Sequence, residues 1–214
     1  MDFEKYSKYI TDRRYSKLLN ILNKRSDYFT FVFENFYDSH NICAGLRSIE
    51  GFGFQDVHVI EGKNKFEISK GITQGAHKWL TINKYDTVNK CKNELQKRGY
   101  KFYIAEPNDE YPPLDRMEFK NEAAFLFGQE GYGVSDAARE LADGFFYIPI
   151  NGFVESFNVS VTVAITAYIL RNFLESKLKE DKWLLSEDKK DRVLEDWFKK
   201  ENSIKKILRA KNKI

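Results

Sequence analysis

Three short clusters in this sequence carry residue types that do chemistry. The first is Asn41-x-x-x-Gly45-x-Arg47, an amide and a guanidinium after the apolar run Phe29–Phe33. The second is Phe127-Gly-Gln-Glu-Gly-Tyr-Gly133, which follows the apolar run Ala123–Leu126 and sets one carboxylate, Glu130, among glycines. The third is Ser156-x-Asn158-x-Ser160, which opens an apolar helix after the run Phe145–Ile150, itself broken by Pro149. Glycines let a backbone approach a ligand closely and take positive φ. Helix starts leave N–H groups unpaired. Buried strand, tight loop and polar helix start together therefore suit a ligand pocket. The glycine spacing is neither GxGxxG nor a P-loop, so dinucleotide and triphosphate readings lose support. A Rossmann-type oxidoreductase needs its glycine fingerprint after the first strand, where Asn35-Phe-Tyr-Asp-Ser-His stands instead.

Each cluster also has a plainer reading. Ser135 would cap a helix after the glycine loop, and Ser156 and Asn158 would cap the next one. Arg47 would pair with Glu50 or Glu130 for stability. Cys43 and Cys91 form no CxxC and no disulfide framework, which fits a reducing compartment, and Cys43 reads as a small buried side chain. His40, His58 and His77 show no metal-ligand spacing, so no metal is expected.

The elements that must position these clusters follow from periodicity. Tyr15, Leu18, Leu19 and Leu22 fall at helical spacing, with Thr11 or Asp12 as cap and Arg13, Arg14, Lys17, Lys24 and Arg25 on the outer face. Phe29–Glu34, Val57–Ile60, Lys101–Ala105, Ala123–Phe127 and Phe145–Ile150 read as buried strands, being nearly continuous apolar runs. Helices are expected over about 43–51, 86–98, 135–142 and 156–176. Strands alternating with helices argue for a parallel α/β sheet covered on both faces. Beyond it, Val193, Leu194, Trp197 and Phe198 form one short stripe, and Ile204, Ile207 and Leu208 another. No apolar run is long enough to span a membrane, and the N-terminus lacks the apolar core of a signal peptide.

The chain has 214 residues and a net charge of +3. Residues 1–26 carry +4 and residues 199–214 carry +6, which leaves −7 for the middle. Basic ends on an acidic body suit a polyanion gripped by the termini.

The three clusters, in this order and at these separations, resemble the three motifs of the SpoU-type RNA ribose 2′-O-methyltransferases of the SPOUT class. The resemblance runs from about Arg13 through the C-terminal tail. It implies a mostly parallel α/β sheet whose C-terminal part threads a deep trefoil knot, with a methyltransferase domain over 28–176 and basic helical extensions over 1–27 and 177–214. It implies S-adenosylmethionine as cofactor, held by Ala105, Gly128, Ile148, Ile150 and Phe157. It implies an active site of Asn41, Arg47, Glu130, Ser156 and Asn158, shared between the subunits of a homodimer. Phe157 stands where the family usually has Leu, and Ile150 where Met is common.

The segment Gln74-Gly-Ala-His-Lys-Trp-Leu80 and the basic termini resemble the tRNA-directed members. The 28 residues before the first strand leave no room for the larger N-terminal domain of rRNA-directed relatives. The implied substrate is a D-loop guanosine of tRNA in the cytoplasm, with Arg13, Arg14, Lys17, Lys205, Lys206 and Arg209 on phosphates. Two alternatives stay open on the residues alone: the same chemistry on another tRNA or rRNA site, and a non-catalytic RNA-binding protein on the same fold.

Overall fold

The structure, a computed structural model, describes residues 10–35, 39–61, 65–129 and 131–201. Contacts divide the chain into two compact units, Asp27–Trp183 and the residues before and after it.

The larger unit is built on six parallel strands: β1 (Phe29–Glu34), β2 (Asp56–Ile60), β3 (Thr81–Tyr85), β4 (Lys101–Ala105), β5 (Ala123–Phe127) and β6 (Gly144–Phe146). Their order across the sheet is β3-β2-β1-β5-β4-β6. β1 and β5 are buried along their whole length, as expected of central parallel strands covered on both faces.

Alternation sorts the two faces. Phe29, Phe31 and Phe33 join Phe125, Phe127 and Phe146 on one side, where Phe29 and Phe125 meet edge to face at 5.5 Å between ring centres. Val32, Ala124 and Leu126 face the other side, with Phe102, Ile104, Cys91 and Leu95. Burying each such phenylalanine contributes about 1.5–3 kcal/mol.

Helices cover both faces: α2 (Ser39–Gly51), α3 (Lys70–Thr73), α4 (Val88–Lys97), α5 (Asp136–Leu141), α6 (Val159–Lys177) and α7 (Glu180–Trp183), after α1 (Asp12–Leu22) of the smaller unit. α2 packs on α6 where Gly45 removes a side chain. A Cβ there would sit 3.2 Å from the Phe33 ring and 3.3 Å from Val163 Cγ1.

Two strand assignments change. The strand expected over Phe145–Ile150 stops at Phe146, which pairs with Ala105, the last residue of β4, so its neighbour offers no further ladder partner. Thr81–Tyr85 is a strand that periodicity does not announce. It lies at the sheet edge, half-exposed and polar.

In the smaller unit, α1 is capped by Thr11, whose side chain accepts from the Arg14 N–H. It packs against α8 (Glu187–Lys200). Leu18 and Leu22 are buried in this unit, as are Val193, Leu194, Trp197 and Phe198. Tyr15 stacks on Phe198, and Arg14 pairs with Glu201 at 2.5 Å. Arg25, expected on the outer face, is fully buried over the Trp197 ring at 5.3 Å. The helix ends at Leu22, so Arg25 no longer follows its outward face. Lys205, Lys206, Arg209 and the stripe of Ile204, Ile207 and Leu208 lie outside the described residues.

Candidate active site

Parallel sheets bind ligands outside the carboxyl ends of their strands, and a cavity of this chain lies there. It measures about 320 Å³ and opens beyond the ends of β4, β5 and β6. This falls at the lower end of the range for small-molecule sites.

Its floor is the glycine loop after β5. Gln129 and Gly133 exchange backbone hydrogen bonds at 2.9 and 2.8 Å, which pinches the loop shut. Gly131 and Gly133 have φ of +81° and +69°. A Cβ on Gly128 would lie 2.3 Å from the carbonyl carbon of Gly133, a backbone clash that no rotamer relieves. The loop leads into α5, capped by Ser135. The buried carboxylate of Glu34 fixes that cap from the end of β1. It accepts the Ser135 N–H at 2.9 Å and the Ser135 hydroxyl at 2.5 Å. One acid therefore ties the first cluster's strand to the second cluster's loop across the sheet.

The opposite wall comes from the segment between β6 and α6. Ala105, Gly128, Ile148, Ile150 and Phe157 all line the cavity, and Ser156 joins them. Among the described residues, no protein group hydrogen-bonds the backbone of Ile148, Ile150 or Phe157. Apolar walls with open backbone donors and acceptors fit a flat heteroaromatic ligand.

The polar residues separate into two roles. Asn158 is the N-cap of α6; its Oδ1 accepts the Ser160 N–H at 2.8 Å. Its Nδ2 donates to Asn41 Oδ1 at 3.1 Å, which joins the first and third clusters. Arg47 stands exposed on α2, outside the cavity lining, with Nη1 3.5 Å from the carbonyl oxygen of Ile72. Among the described residues it has no carboxylate partner, so the stabilising pair with Glu50 does not form. Glu130 lies outside the described residues.

The sequence reading missed Glu106, which follows Ala105 at the end of β4 and lines the cavity. It also missed Glu34. The strand-end rule points to both positions, since each sits at or just past the carboxyl end of a parallel strand.

A parallel α/β domain with a glycine loop and a helix start around a strand-end cavity defines a nucleoside-cofactor enzyme of the α/β class. The chain belongs to the SpoU rRNA methylase family, whose model matches residues 28–168. It is 37% identical over 164 residues to the tRNA (guanosine(18)-2′-O)-methyltransferase of Borreliella burgdorferi, covering 77% of this chain and 75% of that one. It is 29% identical over 193 residues to the enzyme of the same name from Thermus thermophilus, covering 89% and 98%. The crystal structure of the Aquifex aeolicus TrmH/SpoU tRNA modifying enzyme superposes with a TM-score of 0.78 at 29% identity, covering 88% of this chain and 96% of that one.

Proposed function

We propose that this protein transfers the methyl group of S-adenosylmethionine to the ribose 2′-hydroxyl of guanosine 18 in the tRNA D-loop, the activity named for its relatives from Borreliella burgdorferi and Thermus thermophilus. The observation that carries this reading is the cavity. The five residues expected at the cofactor line it together, with Ile148, Ile150 and Phe157 offering open backbone groups between apolar walls.

The cofactor supplies an already activated methyl sulfonium. Little covalent work is then left to the protein. It must place a ribose oxygen in line with the methyl group and exclude water.

Arg47 is assigned to the substrate. A guanidinium with a pKa above about 12 does not serve as a base. It grips a phosphate bidentately and orients the neighbouring hydroxyl. Its exposed position, with no carboxylate partner among the described residues, supports that role. Asn41 and Asn158 hold the first helix against the third cluster, Ser156 and Asn158 shape the nucleotide site, and Glu130 belongs to the same active site. Ala105, Gly128, Ile148, Ile150 and Phe157 hold the adenosine part of the cofactor.

Residues 28–176 form the catalytic domain, and the segments 1–27 and 177–214 grip RNA. Arg13 and Lys17 are exposed on α1 and suit phosphate contact. Arg14 must first exchange Glu201 for a phosphate. Lys205, Lys206 and Arg209 are assigned to phosphate contact as well. The active unit is a homodimer, supported by the exposed apolar Val161 and Tyr168 on α6. The segment after β6 threads the trefoil knot of the family, and the protein works in the cytoplasm, where its tRNA is found.

The test is methyl transfer from labelled cofactor to bulk tRNA, with nuclease mapping. Label on the ribose of guanosine 18 is expected. Label elsewhere moves the substrate and keeps the chemistry. A folded protein that binds tRNA but no cofactor is a non-catalytic binder.

A further inference from the structure

Glu106 is a half-buried residue of the cavity wall whose carboxylate Oε1 is buried. Its backbone is fixed: the N–H donates to the Phe146 carbonyl at 3.0 Å, and the carbonyl accepts the Asn108 N–H at 2.9 Å. Its side chain is 12% exposed and pairs through Oε1 with Nη1 of Arg139 on α5. That same buried oxygen receives no hydrogen bond of good geometry. Arg139 in turn lies beside Gly133, at the closing end of the glycine loop. Among the described residues, the other acid at the cavity, Glu155, is exposed to solvent.

A carboxylate offers about four lone-pair sites, and one guanidinium contact leaves most of them open. A buried acceptor left short of donors is destabilising, and an ion pair whose guanidinium is 43% exposed adds little stability to offset it. The arrangement makes sense if something else donates. Arg139 cancels the charge of Glu106, so what remains is hydrogen-bond acceptance rather than a site for a cation. Two adjacent hydroxyls are the matching donor set.

We infer that Glu106 reads the vicinal ribose hydroxyls of the cofactor, with Arg139 as the positioning residue that holds its carboxylate against the glycine loop. This rests on the cavity being the S-adenosylmethionine site.

The test is calorimetric binding of S-adenosylmethionine, S-adenosylhomocysteine and the 2′-deoxy and 3′-deoxy forms of the latter. The proteins are the full chain and its Glu106→Gln and Arg139→Gln variants. The wild type should bind the deoxy forms on the order of ten- to a hundredfold more weakly than S-adenosylhomocysteine. Glu106→Gln should lose a similar factor on the parent ligand and discriminate the deoxy forms much less. Arg139→Gln should fall between. A wild type indifferent to the hydroxyls overturns the assignment without any variant. So does discrimination that survives unchanged in Glu106→Gln. If that variant instead loses only its preference for S-adenosylmethionine over S-adenosylhomocysteine, the carboxylate reads the cationic end and the assignment is wrong. A folded wild type that binds neither parent ligand overturns the cofactor reading itself, and Glu106 with it.

Discussion

Asn158 and Asn41 are 117 residues apart in sequence, and their side chains meet at 3.1 Å. The same Asn158 side chain starts α6 by accepting the N–H and the hydroxyl of Ser160, at 2.8 and 2.7 Å. One amide therefore does two jobs: its oxygen caps a helix and its nitrogen holds a second helix in place.

The two jobs separate by substitution. Asn158→Asp keeps the cap and removes the donor to Asn41, so stability should hold within about 0.5 kcal/mol while methyl transfer falls about tenfold or more. Asn158→Ala should lose both, with about 1 kcal/mol of stability gone. Urea unfolding and initial rates measure the two effects. Equal activity for Asn158→Asp and wild type would remove the link to Asn41 from the mechanism.

Among the described residues, Arg47 makes one long hydrogen bond, to Ile72. Arg47→Ala should leave folding unchanged within about 0.5 kcal/mol and leave cofactor affinity nearly intact, while abolishing transfer to tRNA. Arg47→Lys should not rescue, because a point charge does not replace a planar fork. Calorimetry and labelled-methyl assays decide it; weakened cofactor binding by either variant would assign Arg47 to the cavity instead.

Gly128 faces the backbone of Gly133. Gly128→Ala forces the loop apart, at an expected cost of roughly 2–3 kcal/mol, and should eliminate cofactor binding even in protein that remains folded. Gly45→Ala meets side-chain atoms rather than backbone, which give way more easily, and should cost only about 1 kcal/mol. Thermal unfolding of the two variants side by side tests the contrast.

Asp143 supplies a pH dependence. Burial works to raise its pKa, but bonds from Lys92, the Phe102 N–H and Lys101 outweigh it and hold the group below its ordinary value. Protons therefore bind the unfolded chain more readily. The stabilisation is complete above the ordinary carboxylate value of about 4 and disappears as pH falls through the lower folded value. Asp143→Asn should be destabilised at pH 7, where it leaves Lys92 without its anion, by roughly 2 kcal/mol. The gap to wild type should shrink towards pH 3. Urea titrations at both pH values check this, and a constant gap would remove the linkage.

Sequence pattern reveals the elements whose burial is uniform. Phe29–Glu34, Lys101–Ala105 and Ala123–Phe127 fold with the bounds their apolar runs suggest. Thr81–Tyr85 escapes because an edge strand needs backbone partners and little apolar surface. The cavity lining was legible because strand ends and helix starts mark it locally. The Glu34–Ser135 and Glu106–Arg139 contacts were not, since each joins segments that only the completed sheet brings together. Arg25 was misread because amphipathic spacing continues on paper past the point where the helix stops.

The first strand among the described residues, β1, lies inside the sheet. β1 pairs with β2 nearby in sequence, Phe31 with Val57, but its other edge is filled only by β5, where Phe29 pairs with Ala123. Until then the nascent chain displays an unpaired edge rich in phenylalanine, the kind of surface that recruits other strands. Pausing translation before Ala123 should prolong that exposure, so the yield of soluble protein in a cell is expected to depend on elongation speed and chaperone supply over this stretch of the message.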